Sequence, residues 1–118
     1  MLFRSFKFPF QIEPQHFSEF VNQEDAVAFE GNELTFNGSP NEPFFFSNLS
    51  NEKQVDAGWE LIHRKSKIGL RETGDFQTNK VNLWGWTHVI SPELFHHISI
   101  KPNETTRWTR TYSMFQVK

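Results

Sequence analysis

The chain has 118 residues, no cysteine, 36% hydrophobic and 16% aromatic residues, and a formal charge of −2. That length suits one domain, residues 1–118, able to bury a core without covalent staples. The missing thiols exclude a disulfide framework, a thiolate metal cluster and a cysteine nucleophile.

In the opening stretch MLFRSFKFPF, Arg4, Lys7 and Pro9 interrupt the apolar run before it reaches the length of a signal-peptide core or a membrane span. The expectation is a cytosolic protein with no membrane partner. Phe6, Phe8 and Phe10 alternate with Ser5, Lys7 and Pro9, which is strand periodicity, and Pro9, lacking an N–H, suits a sheet edge. In EPQHFSEFVNQ, Pro14 fits a first helical turn while Ile12, Phe17, Phe20 and Val21 share a side, so the pattern predicts a short helix over about 14–22.

Val27 and Phe29 then mirror Leu34 and Phe36 across Gly31-Asn32, which predicts a hairpin, and Asn37-Gly38 marks a second turn. EPFFFSNL adds a Phe-rich strand, and GWELIHRKSKIGLRE reads as a hairpin turning at about Lys65-Ser66. KVNLWGWTHVI, ELFHHISIK and TRWTRTYSMFQV supply three more strands. The predicted fold is mostly β: a single antiparallel barrel or sandwich of about eight or nine strands with one short N-terminal helix.

Residues two apart share a strand face. Trp59, Leu61 and His63 form one such set, as do Trp84, Trp86, His88 and Ile90, then Leu94, His96, Ile98 and Ile100, and finally Trp108, Arg110, Tyr112 and Met114. Converging, these faces would make an aromatic pocket with a polar floor, able to take a small apolar ligand. Two signals weaken the assignment. Val81, Leu83 and Val89 compete for the inward side of their strand, and Gly85 marks a potential bulge that reverses parity.

Charge is segregated along the chain. Residues 8–52 carry eight carboxylates, among them Glu24, Asp25, Glu30 and Glu33, and no Lys or Arg, whereas residues 53–118 hold ten bases against six acids. Either the two halves neutralise each other across the fold or the acidic half docks a basic protein. The leading expectation is a non-enzymatic binding module of the inhibitor or immunity kind, using that acidic half, with no cofactor. The oligomeric state is not legible.

An alternative is a metal-dependent small-barrel enzyme, in which His63, His88 and His96 hold a divalent transition metal and Glu72 or Glu93 completes the set. In PELFHHISI, Pro92 precedes His97 at the spacing of the proline and metal histidine in the second motif of the cupin family, which this stretch resembles. Leu94 stands where that motif has glycine, and no His-x-His followed by Glu lies upstream. A third reading, nucleic-acid binding through HRKSKIGLR and TTRWTR, meets an acidic first half and a sequence pI of about 6.2, so the long-range field opposes it. No phosphate loop, nucleophile elbow or dinucleotide fingerprint occurs among the six glycines.

Overall fold

Short alternating apolar runs bounded by turn residues become ten strands in a computed structural model of the chain, which describes residues 4–118. Met1, Leu2 and Phe3, part of the interrupted opening run, lie outside the described residues. The strands are β1 (Arg4–Lys7), β2 (Glu19–Val21), β3 (Val27–Glu30), β4 (Glu33–Phe36), β5 (Phe44–Ser47), β6 (Val55–His63), β7 (Ile68–Thr78), β8 (Val81–Trp86), β9 (Val89–Leu94) and β10 (Arg110–Gln116). They form two antiparallel sheets: a curled six-stranded one, β10-β7-β6-β1-β4-β3, and a four-stranded one, β2-β5-β8-β9. No helix among the described residues is long and apolar enough to cross a membrane.

The core is the meeting of the two inner faces. Phe6, Leu34, Phe36 and Trp59 of the large sheet join Phe44, Phe46, Val81, Leu83 and Leu94 of the small one in a single buried cluster. Ring contacts tie the layers together, Phe36 to Phe44 at 5.8 Å and Phe29 to Phe46 at 4.9 Å between centroids. Tilted and edge-to-face pairs of this kind contribute beyond the area they bury.

Three expectations need correction. The helix over 14–22 is absent: Pro14–His16 form one 3-10 turn, Phe17 is already extended, and Glu19–Val21 pair with β5. Phe, Val, Ser and Asn are indifferent helix formers, and in the strand Phe20 lies opposite Phe46 with ring centroids 5.0 Å apart, while Phe17 packs on Phe46 and Phe29. β1 is central, flanked by β4 and β6, not near an edge. Pro9 is tolerated because the strand ends at Lys7.

The third correction concerns the region from 81 to 100. The run KVNLWGWTHVI contains a hairpin, β8 and β9 meeting at Trp86 and Val89, with Thr87 and His88 as the two-residue turn. Neither is a usual turn residue; the Thr87 hydroxyl instead donates to Pro40 O at 2.8 Å. ELFHHISIK is not a strand, since β9 ends at Leu94 and residues 95–109 have no regular structure beyond a turn at Pro102-Asn103. The predicted hairpins at Gly31-Asn32 and Lys65-Ser66 are both formed.

Candidate functional site

Inward parity on β8 belongs to Val81, Leu83 and Gly85, all buried, so Trp84 and Trp86 face the other way. Gly85 decides this: the Phe44 ring lies against it so closely that a Cβ there would stand 2.3 Å from Phe44 Cζ. The predicted convergence of four aromatic faces therefore does not occur. The residues divide into two groups, with Trp84 on the outer side of the small sheet beside Phe45 and Tyr112 exposed on β10.

One group forms a clasp around a buried carboxylate. Glu72, only 4% exposed, accepts the Trp59 indole N–H at Oε1 (2.7 Å) and the Arg110 guanidinium at Oε2 (3.0 Å). Arg110 also donates to Leu94 O at 2.8 Å and lies over the Phe76 ring at 5.1 Å. Phe76 contacts His96, and His96 contacts Trp108, at centroid distances of 4.3 and 5.2 Å. The clasp thus joins β6, β7 and β10 of the large sheet to the end of β9 in the small one. Both Glu72 oxygens and both terminal guanidinium nitrogens have protein partners, so the arrangement is a packed polar joint, and Trp59 and Glu72 also border an open depression of about 420 Å³ shared with Lys7, Phe8 and Arg71.

The sequence placed Trp59, His96, Trp108 and Arg110 together but gave Glu72 only a metal-ligand role. A hairpin turning between Lys65 and Ser66 sets Glu72 directly opposite Trp59, so the turn position carried the signal.

The second group lines a cavity of about 110 Å³ between the sheets at the β8–β9 turn. Arg4, Phe36, Leu61, Trp86, His88 and Val89 contribute to its walls. Trp86 is 47% exposed and donates its indole N–H to Asn41 O at 2.7 Å. The three candidate metal histidines are dispersed: His63 sits 2.7 Å from the Ser66 hydroxyl at the β6–β7 turn, His88 in the β8–β9 turn, and His96 in the clasp. His97 is exposed past the end of β9. Among the described residues no three His, Asp or Glu side chains are placed to hold a metal ion.

The acidic residues bracket β3. At one end Glu24 Oε1 accepts the backbone N–H groups of Asn41 (2.7 Å) and Glu42 (2.9 Å), and Oε2 accepts from the Asn41 amide at 3.3 Å. The Glu42 amide foremost, then those of Asn41, hold the Glu24 carboxyl below the usual carboxylate range. Asp25 occupies the adjoining turn with φ 51°. At the other end Glu30 and Glu33 stand directly opposite each other across Gly31-Asn32, and Glu33 reaches Arg64 at 3.3 Å. The basic hairpin tip read as a phosphate-binding stretch therefore gives one of its cations to this acidic pair.

No protein-family model matches the chain, and neither a curated protein nor a solved structure is significantly similar to it.

Proposed function

We propose that the protein is a non-enzymatic binding module of the cytosol that docks a basic protein on the outer face of the β3–β4 hairpin. The carrying observation is the Glu30–Glu33 pair. Like charges directly opposed across two strands destabilise a sheet, and here Glu30 has no cation within ion-pair distance among the described residues. Arg64 already engages Glu33, so the group left uncompensated is Glu30, and a Lys or Arg brought by a partner would relieve the repulsion that remains there. Ala28 and Thr35 share the same outer face and, with the two carboxylates, line a depression there.

The test uses a lysine-rich peptide as probe, followed through the backbone amides. Shifts should concentrate on residues 28–35, diminish with added salt as screening requires, and disappear in Glu30→Lys. Shifts spread evenly over the exposed carboxylates, or unchanged in that variant, would refute the reading.

A second reading, a small apolar ligand in the cavity beside Trp86 and His88, is supported by the aromatic residues Phe36, Phe44 and Trp86 and by polar groups such as Arg4 and His88 at its lining. Such a ligand would alter Trp86 emission and leave residues 28–35 undisturbed.

A further inference from the structure

Three of the four sheet edges are blunted. On β3 the Asn22 side-chain amide donates to Val27 O at 2.9 Å and accepts from Val27 N at 3.3 Å, standing in for a neighbouring strand. On β9 the edge carries Pro92, which has no N–H, and Leu94 O is taken by Arg110. β2 has only three residues. These are the usual protections against edge-to-edge pairing.

β10 has none of them. It is seven residues long, contains neither Pro nor Lys, and ends the six-stranded sheet with no strand beside its outer edge among the described residues. Nor is it a loosely held strand. Arg110 grips Glu72 on one face, and on the other the Phe115 ring covers Gly69 and lies under the Arg71 guanidinium at 4.6 Å.

The phase of its hydrogen bonds follows from its ends. Asp75 N donates to Thr109 O and Val117 N to Lys67 O, and the intervening register is unbroken. Odd-numbered residues therefore bond to β7, while the N–H and C=O groups of Arg110, Tyr112, Met114 and Gln116 point away from the sheet.

We infer that β10 pairs antiparallel with β10 of a second copy of this chain about a two-fold axis at Ser113. That register satisfies the outward groups reciprocally, setting Tyr112 opposite the partner's Met114 and Arg110 opposite the partner's Gln116. The sequence RTYSMFQ is self-complementary in this arrangement: no like charges oppose one another, and the one cation, on Arg110, is already paired with Glu72. Tyr112 and Met114, 61% and 75% exposed, would cover each other as a sulfur–aromatic pair. The small Ser113 falls at the axis, where the strands come closest. The pairing joins two curled sheets into one and carries the two Glu30–Glu33 hairpins to opposite ends, because β3 and β10 are the two edges of the same sheet.

Sedimentation of the full chain over micromolar to millimolar concentration tests this, together with amide exchange. The expected result is a monomer–dimer equilibrium in which the amides of Tyr112 and Met114 gain protection with concentration, while those of Thr111 and Ser113, bonded to β7, are protected throughout. Tyr112→Lys with Met114→Lys sets cation against cation across the axis and should give a monomer. Tyr112→Lys with Met114→Glu removes the same apolar surface but sets opposite charges together, and should restore the dimer. Met114→Pro deletes an outward N–H without touching the β7 ladder and should dissociate the dimer with the fold intact by circular dichroism. A chain monomeric at millimolar concentration, or a dimer indifferent to all three variants, would overturn the inference; either result leaves the peptide test of Glu30 unaffected.

Discussion

The absence of a side chain at Gly85 lets the Phe44 ring lie flat against β8, and the inward face of the small sheet is built on that contact. Gly85→Ala should destabilise the protein by about 1–3 kcal/mol, the usual cost of overpacking a tight core, because the added Cβ would meet the ring of Phe44, itself only 3% exposed, and force it to shift. Chemical denaturation reads this directly; an unchanged midpoint would mean the ring can shift. Glu24 acts differently, through charge. Its carboxyl is held below the ordinary value of 4.5, so its contribution is fully present above that value and fades as pH falls toward the lowered native one. Glu24→Gln should therefore show a deficit in urea midpoint at pH 7 that narrows by pH 3. A deficit constant with pH would show that the amides of Asn41 and Glu42 favour no charge there. Nothing in the sequence around Glu24 announced this role, because its partners lie seventeen and eighteen residues away in the loop before β5.

At the scale of elements, hairpins were legible and the chemistry between them was not. Gly31-Asn32 and Lys65-Ser66 bring their own turn geometry, so β3–β4 and β6–β7 follow from local sequence. The Thr87-His88 turn has no such signature, and reading through it inverted the faces of both tryptophans on β8. The helix expected at 14–22 failed for a related reason, since ring contacts with Phe46 and Phe29 from other strands decide the backbone of Phe17 and Phe20. The clasp joins four elements and tests this dependence. Arg110→Ala strands the Glu72 carboxylate in the core, and breaking a buried pair costs roughly 3–5 kcal/mol; the lower end is expected, because the Arg110 side chain is 30% exposed. Glu72→Gln combined with Arg110→Met leaves an amide oxygen for the Trp59 indole and no unpaired charge. That double variant should be more stable than Arg110→Ala alone, and the reverse order would show that the carboxylate is not the vulnerable part.

The longest irregular stretch among the described residues, 95–109, lies outside the two sheets, with all of it exposed except His96. Both ends of that stretch return to one place: Leu94 O binds Arg110, and the His96 and Trp108 rings are 5.2 Å apart. The excursion therefore closes on itself, and the ladder to β7 together with the clasp, not the loop, positions β10. Loop length carries little thermodynamic weight once the ends are fixed, each doubling costing only about 0.6 kcal/mol. A linker of about four Gly and Ser residues, reaching at most ~3.6 Å per residue, would join the backbones of His97 and Trp108, which the contact between the His96 and Trp108 rings keeps near each other. Replacing residues 98–107 by such a linker should leave the thermal midpoint within a few degrees of the parent and keep the slow exchange of the Thr111 and Ser113 amides on β10. If the shortened chain instead loses protection along β10, the exposed Ile98 and Ile100 hold that strand in place, and the joint around Glu72 is not sufficient to do so.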